Sequence, residues 1–254
     1  PDSRSSNRVS DIVVLGMPCC DRGMPPPVSA AFFAPGPDGY RVARKFGVGS
    51  LLARNFNDLW CYALNLKRKG EPVTRFAMLH DDVGPTESDW LATLFGEMDK
   101  GGFDVLSVAV PIKNGTGWTS CGLGGPSPWQ PLCRFTLTEL ARMPATFSAA
   151  DIGHADKPLL VNTGCWACRF DADWVERIYF TIRDEIWLNP ATDQYEPRVE
   201  PEDWNFSRQC HAMGLKVGVT RAVTVRHYGQ QGYPNDAVYG EPFDTALLGG
   251  SLIA

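Results

Sequence analysis

The sequence predicts an α/β fold with a mostly parallel central sheet flanked by helices. Apolar runs at residues 11–18, 73–79 and 103–112 have the length and composition of buried strands. Segments 50–70 and 86–102 separate them and carry apolar side chains at helical spacing. Strands that alternate with helices in this way are typical of a parallel sheet covered by helices.

The first strand is expected to end at Pro18, behind a flexible polar lead at residues 1–10. Residues 21–49 are rich in proline and glycine, and we expect them to be mostly loop. From residue 11 to residue 229 the chain is expected to form a single domain.

The two helices carry start and stop signals. For the first, Ser50 is the expected N-cap and Gly70 the expected end. For the second, Thr86 and Asp89 fit a capping box, and Gly101 is expected to terminate it.

Regular patterning is lost at residues 114–158, which we expect to be a loop-rich insertion over the sheet. Beyond it we expect a strand, a helix from about Asp173 whose apolar stripe continues to Ile186, and a helix that begins at Glu202-Asp203. One or two strands follow, so the later half is expected to include a smaller antiparallel element. Residues 230–254 are expected to be a tail or flap.

Composition limits the function classes. With 254 residues and a net charge of −5, the chain lacks the general basic footprint of a nucleic-acid-binding protein. It contains no apolar run near the roughly 20 residues that span a bilayer, so we expect no membrane span. Its polar start lacks the apolar core of an export signal, and we expect a cytoplasmic protein, in the host cytoplasm if viral. The eight cysteines are then expected to be reduced, with structural zinc as a minor alternative.

Titratable side chains follow one of the predicted strands. His80, Asp81 and Asp82 stand at the carboxyl end of the 73–79 run, where parallel sheets bind ligands. Adjacent carboxylates repel each other unless a cation or solvent neutralises them. Asp203 opens a later helix and His227 ends a late strand. Carboxylate and imidazole together with phosphate oxygens suit Mn2+ or Mg2+, although acidic turns after strands are also common without a metal.

The order of these segments resembles GT-A-fold (Rossmann-like) glycosyltransferases, most closely compact family 2-like members of viral and phage type. The resemblance covers residues 11–229 and is carried by an Arg-Asn helix, "LHDDV", "NTGCWACRFD", "EDWNFSRQCHAMGLKV" and "VTVRHYG". The most specific part of the resemblance is the helix and strand of "EDWNFSRQCHAMGLKV", in which an acidic pair is followed by an aromatic residue, an arginine and then Gly-Leu-Lys-Val.

The resemblance implies roles for particular residues. Asp82 matches the last carboxylate of the family's Asp-X-Asp motif, and His227 matches a late histidine that also holds the metal. Asp81 takes the middle position of the motif. His80 replaces its first aspartate, a departure that leaves it to bind the donor ribose or to weaken the metal site. The implied cofactor is Mn2+ or Mg2+.

Further donor-binding residues are implied in the same way. They are Pro18, Cys19 and Asp21 at the nucleobase, Arg54 and Asn55 towards the nucleotide, and Gly164 and Cys165 along the donor sugar and acceptor cleft.

The implied activity is sugar transfer from a nucleoside diphosphate sugar, with a UDP-sugar favoured, to an acceptor hydroxyl. Asp203, with Glu202 beside it, matches the acidic pair that supplies the general base in inverting members. The acceptor is a glycan or a hydroxylated base in DNA.

Three alternatives remain open from sequence. A sugar-phosphate nucleotidyltransferase shares the metal-diphosphate chemistry, but "MPCCDRGMPPP" is a poor match to its basic glycine-rich loop. A glycoside hydrolase needs two carboxylates and no nucleotide. A degenerate, non-catalytic nucleotide-sugar-binding module is the third.

Overall fold

A computed structural model describes residues 11–19, 23–125, 127–129, 133–229 and 232–240. In this part of the chain the architecture is mixed α/β, built on a seven-stranded, mostly parallel central sheet with smaller antiparallel sheets beside it. The expected α/β class is therefore confirmed at this level. The helices of the described ranges include none that is both long and apolar enough to cross a bilayer.

The central sheet is labelled in chain order. Across the sheet, its strands are β2 (Tyr40–Val48), β1 (Asp11–Cys19), β3 (Val73–Leu79), β10 (Cys165–Arg169), β5 (Val105–Val108), β13 (Val217–Thr220) and β8 (Thr146–Ser148). Five of these described strands run in one direction. The exceptions, β10 and β8, are antiparallel to their neighbours. The carboxyl ends of β1, β3 and β5 therefore lie at the same edge of the sheet.

Helices cover both faces of this sheet. They are α1 (Pro26–Phe32), α2 (Leu52–Arg68), α3 (Trp90–Gly101), α4 (Leu137–Leu140) and α5 (Glu202–Ala212). Side chains alternate along a strand, so Ile12 and Val14 of β1 join the core with α2 and α5, whereas Val13 and Leu15 join the core with α1 and α3. Burial on both faces explains why β1 and β5 are almost continuously apolar, whereas the edge strand β2 is partly exposed and contains Arg41, Arg44 and Lys45.

Three smaller antiparallel sheets complete the described fold. The first contains β4 (Val83–Pro85), β14 (Val225–Tyr228) and β15 (Gly232–Pro234); the second contains β6 (Trp118–Leu123), β7 (Cys133–Thr136) and β9 (Leu159–Leu160); and the third is a hairpin of β11 (Arg183–Asn189) and β12 (Gln194–Glu200). The first of these sheets matters most here, because β14 returns the late chain to the end of β3.

Several local expectations were wrong. Residues 21–49 contain α1 and β2, which make up more than half of that stretch, so it is not mainly loop. Residues 114–158 are rich in loop but also contain β6, β7, α4 and β8, and β8 belongs to the central sheet. The helix expected from Asp173 is a single 3₁₀ turn, Asp173–Arg177, followed by the β11–β12 hairpin. Its apolar spacing does not mark a buried helical face, because Ile186 is 80% exposed.

The helix caps also differ from expectation. The N-cap of α2 is Leu51 rather than Ser50. In α3 the N-cap is Asp89, but among described atoms its side chain makes no capping hydrogen bond, and the Thr86 hydroxyl donates instead to Glu87. The left-handed residue that ends α3 is Gly102, one position after Gly101.

Candidate functional site

A cleft opens where the segments leaving β1, β2 and β3 meet. Its volume is about 210 Å³, and its lining in the described chain consists of Pro18, Cys19, Gly49, Ser50, Leu52, Asn55, His80, Asp81 and Asp82. Parallel sheets usually bind ligands outside the carboxyl ends of their strands. The cleft has this position, and its lining includes most of the described residues that the sequence marked for donor or metal binding.

Other grooves are larger, including one of about 380 Å³ beside α1 and one of about 660 Å³ beside α3. We place the candidate site at the smaller cleft because its lining residue Asp82 contacts the ammonium of Lys113 and the imidazole of His227, and the imidazole of His80 lies close by. A concave surface with convergent charged groups is a better indication of chemistry than volume alone.

Strand pairing brings His227 to Asp82, although the two residues are far apart in the chain. The backbone turns at the end of β3, where the Val83 amide donates to the His80 carbonyl at 3.1 Å. Strand β4 then pairs antiparallel with β14 and sets Val83 opposite His227. The Tyr228 amide donates to the Asp82 carbonyl at 2.7 Å and fixes this register.

The imidazole of His227 is oriented from behind. Its Nδ1 lies 2.7 Å from the carbonyl oxygen of Pro111, which only accepts hydrogen bonds, so Nδ1 carries a proton. Its Nε2 faces Asp82 Oδ1 at 3.6 Å, a distance too long for a hydrogen bond. Protonated at Nε2, the imidazole forms an ion pair with Asp82; neutral, it turns a nitrogen lone pair towards the carboxylate oxygen.

The two carboxylate oxygens of Asp82 have different surroundings. Oδ2 accepts from the ammonium of Lys113 at 2.5 Å. Oδ1 is buried and has no hydrogen-bond partner among the described residues. Burial by itself raises the pKa of this carboxyl, but the contacts with His227 and Lys113 outweigh that effect and hold the pKa well below its usual value. Asp82 is an ionised carboxylate with one oxygen left for a further positive partner.

His80 lines the same cleft as a neutral imidazole. Burial lowers its pKa to about 4, an effect that the nearby Asp82 carboxylate only partly opposes. Its ring lies 5.2 Å from that of Phe56, and its Nε2 is buried without a partner in the described structure. The residue as a whole keeps some exposure towards the cleft. The ring therefore forms part of the cleft wall, while its unpaired Nε2 is covered by protein atoms.

The opposite walls come from β1, β2 and α2. Asn55 is buried, and its side-chain amide donates to the Gly49 carbonyl at 2.9 Å, which ties α2 to the loop after β2. Pro18 and Cys19 end β1 at the cleft. Asp21 lies outside the described residues. Arg54 is exposed on α2 and forms a long, solvent-exposed ion pair with Asp58 at 3.7 Å, so the structure does not bring it to the cleft.

Residues 161–164 connect this cleft to the start of α5. The Gly164 carbonyl accepts from the His80 amide at 2.8 Å, and its own amide donates to Asn162 Oδ1 at 2.6 Å. At the other end, the Val161 amide donates to the Ser207 hydroxyl, which donates to the Asp203 carbonyl at 2.7 Å. Cys165 points away into the core, where burial raises the pKa of its thiol.

Glu202 and Asp203 lie on the α5 side of that segment, outside the lining of the cleft. Both are buried. The pKa of Asp203 is raised well above its usual value by burial and by the charge of Glu202, with Arg134 opposing. The Arg134 guanidinium lies 4.4 Å from the ring centre of Trp204, directly after Asp203. This second acidic centre therefore combines a proton-binding carboxylate with one nearby cation.

The cation-binding capacity of the site is limited. Within the described ranges, no group of three or more histidine, cysteine, aspartate or glutamate side chains is arranged to hold a metal ion. Two atoms at the cleft residue Asp82 could hold a cation: its Oδ1, which has no hydrogen-bond partner among the described residues, and the facing Nε2 of His227. Mg2+ and Mn2+ sites commonly use one or two protein ligands and complete their shell with phosphate and water.

Sequence reasoning missed Lys113 and the Gly49–Ser50 wall. Lys113 comes just after the apolar run of β5, as His80 to Asp82 come just after β3. Because both strands point the same way, their exits meet, and a lone lysine there was the available signal. Residues 49 and 50 follow β2, a strand that the proline and glycine content concealed.

Comparison with known proteins adds the fold alone. No family model matches the chain, and no curated protein matches it. A solved structure described as A197 from STIV is similar over 85% of each chain, with 13% sequence identity and a TM-score of 0.50. At that identity the likeness concerns the arrangement of the backbone and says nothing about activity.

Proposed function

We propose that this protein is a metal-dependent glycosyltransferase of the GT-A type that transfers sugar from a nucleoside diphosphate sugar to an acceptor hydroxyl. One observation carries the proposal. Asp82 Oδ1 is buried without a hydrogen-bond partner in the described chain and faces His227 Nε2 at 3.6 Å. When His227 is neutral, two electron-rich atoms face each other at low exposure, an arrangement that favours a positive partner, either a proton on the imidazole or a bound cation.

The residues present fit such an ion. Asp82 Oδ1 and His227 Nε2 would hold it, since oxygen and imidazole nitrogen are ligands that Mn2+ accepts. Bound there, a divalent ion supplies positive charge against the diphosphate that leaves during transfer. The Pro111 carbonyl keeps the imidazole in the tautomer that ligation needs.

The cleft walls are assigned to the donor. His80, neutral near pH 7, forms the wall against which the donor ribose would lie, while Asn55 holds the opposite wall at Gly49. Asp81, Pro18 and Cys19 complete the cleft beside them. A UDP-sugar remains the favoured donor.

Asp203 is assigned the general base. Its raised pKa makes the ionised carboxylate a stronger proton acceptor than an exposed aspartate, as a base acting on a sugar or water hydroxyl requires. Backbone contacts through residues 161–164 tie its helix to His80, so the two acidic centres belong to one connected framework. Inversion at the anomeric carbon follows if the base approaches opposite the leaving diphosphate.

Thermal unfolding with a panel of nucleoside diphosphates, with and without Mn2+, tests the proposal. A ligand at about 100 times its Kd stabilises a protein by about 2.7 kcal/mol, which is readily measured. We expect stabilisation by one nucleoside diphosphate, dependent on Mn2+, and its loss in Asp82→Asn. Asp58→Asn is the matched control, because Asp58 is exposed on α2. If no nucleoside diphosphate stabilises the protein, or Asp82→Asn responds like wild type, the proposal is refuted.

Product analysis separates the alternatives. A glycosyltransferase that uses water as acceptor releases a nucleoside diphosphate and free sugar from the donor. A sugar-phosphate nucleotidyltransferase run in reverse with pyrophosphate releases a nucleoside triphosphate and sugar 1-phosphate. Binding without either product supports a non-catalytic module, and cleavage of simple glycosides without nucleotide or metal supports a hydrolase.

A further inference from the structure

Lys113 is a positive group that contacts the cleft residue Asp82, and the sequence pattern assigned it no role. Its ammonium lies on Asp82 Oδ2, and its side chain keeps 36% exposure, so it borders both the carboxylate and solvent. The carbonyl that orients His227 belongs to Pro111, two positions earlier. One short segment thus supplies a cation to Asp82 and a hydrogen-bond acceptor to its histidine partner.

The turn that carries Lys113 is well fixed. The Ile112 amide donates to the Trp118 carbonyl at 2.8 Å, and the Thr116 hydroxyl donates to Asn114 Oδ1 at 2.7 Å. Gly115 and Gly117 have φ of 72° and 78°, a conformation that favours glycine. The backbone is therefore fixed, while the flexible lysine side chain can move its ammonium from one partner to another.

Gly229 leaves room for the lysine stem. A Cβ at that position would lie 3.0 Å from Lys113 Cδ and 3.5 Å from its Cβ and Cγ. The methylenes therefore pass across the backbone just after β14, on the route to Asp82. The contact of its methylenes with the Gly229 backbone directs the Lys113 ammonium towards Asp82 at the edge of the cleft.

Charge balance indicates what this ammonium does. Lys113 neutralises Asp82 through their ion pair, so a divalent ion at Asp82 must share one carboxylate with a competing cation. A diphosphate changes the balance, because it brings several negative charges and oxygens that both cations can bind. An ammonium has three N–H donors, which suits it to phosphate oxygens.

We infer that Lys113 is a diphosphate-binding residue that neutralises Asp82 until ligand arrives. It then contacts the donor's diphosphate while the divalent ion takes Asp82 and His227. The inference rests on the proposed function for the nature of the donor, but not for the diphosphate contact itself. It follows that the metal ion alone binds weakly and that metal and diphosphate bind cooperatively.

The test uses the full chain with Lys113→Met, which keeps an unbranched stem against Gly229 and removes the charge. Lys113→Gln is a second variant in case the first fails to fold, and Lys69→Met, an exposed lysine that follows α2, is the matched control. Free Mn2+ measured by electron paramagnetic resonance gives the affinity for metal alone. Calorimetry with inorganic pyrophosphate and Mn2+ gives the affinity for the diphosphate.

We expect Lys113→Met to bind Mn2+ alone more tightly than wild type, and to bind pyrophosphate with Mn2+ about ten-fold more weakly, the effect of one charge-assisted hydrogen bond. Lys69→Met should match wild type in both. Unchanged pyrophosphate affinity in Lys113→Met, or no pyrophosphate binding by wild type, overturns the inference. If pyrophosphate binds through Lys113 but nucleoside diphosphates bind no better than pyrophosphate, the proposed donor fails while the lysine's role stands.

Discussion

Replacing Asp203 with asparagine separates catalysis from binding. The carboxylate is buried, and its Oδ1 accepts the Trp204 amide at 2.8 Å. Asparagine has the same shape and keeps an oxygen for that amide, so α5 should keep its first turn. What the substitution removes is the capacity to take a proton.

The size of the effect follows from that single loss. A positioned general base contributes about 10²–10⁴-fold to a rate, or about 3–5 kcal/mol in the barrier. Asp203 lies outside the Asp82 cleft, so the affinity for a nucleoside diphosphate with Mn2+ should stay within about two-fold of wild type, as for mutations that share no partner. We therefore expect kcat to fall by about a hundred-fold or more at nearly unchanged donor affinity.

The assay is release of nucleoside diphosphate from the donor with water as acceptor, measured across pH. In wild type the rate should rise with pH through an apparent pKa above that of an ordinary aspartate, because burial and Glu202 raise the pKa of Asp203. In Asp203→Asn that rise should disappear. Glu202→Gln is the neighbouring comparison: it keeps the proposed base, and the rise should move to lower pH because the charge that raises the pKa of Asp203 is removed.

Stability gives an independent check with a definite sign. A carboxyl whose pKa is raised on folding contributes stability at pH below its unfolded pKa, and this contribution is lost as pH rises towards the folded pKa. The free energy of unfolding of Asp203→Asn, measured in urea, should therefore rise relative to that of wild type as the pH is raised above about 3.9, the pKa of an unfolded aspartate. Wild-type turnover in Asp203→Asn, or a greater loss in Glu202→Gln, would refute the assignment of the base.

Two further perturbations test the framework. The first is His80→Asn, compared with wild type by urea unfolding in the presence of a chelator. The difference in free energy of unfolding between wild type and variant should fall by about 2.5 kcal/mol from about pH 7.5 to 4.5, because a histidine with a pKa of about 4 when folded and 6.5 when unfolded loses stability as pH falls through that window. A difference that does not change with pH would contradict this prediction, and the exposed His211→Asn is the control. The second is Gly164→Ala, whose new Cβ would lie 2.6 Å from Asn162 Oδ1. The overpacking should lower the free energy of unfolding by about 1–3 kcal/mol, measured in urea, and weaken metal-dependent nucleotide binding, measured by calorimetry. Wild-type values in both measurements would show that residues 161–164 can shift without affecting stability or binding.

The local parts of the fold could be read from sequence because their signals are local. The apolar run of β3, the charged exit at His80 to Asp82 and the amphipathic α2 each lie within one short window. The pairing of β14 with β4 could not be read, since it joins residues that are distant in the chain. The same holds for Lys113, which becomes meaningful only once the ends of β3 and β5 are known to meet.

Two errors have specific physical reasons. Pro26 and Pro27 suggested a loop, but proline is tolerated in the first turn of a helix, where they stand in α1. The apolar residues from Val175 to Ile186 match a helical period, but β-branched and aromatic side chains there also favour extended chain. Val175 is buried and Ile186 is exposed on the hairpin, so the apolar residues of this stretch do not share one face.

The antiparallel strand β10 has a consequence for how the chain folds during synthesis. It lies between β3 and β5, yet it comes long after β5 in the chain. Until the ribosome has released it, the apolar edges of β3 and β5 have no partner between them and are open to pairing with other chains. A nascent chain that stalls before residue 165 would therefore be prone to aggregate, and binding of chaperones to the nascent chain should decrease once that strand emerges.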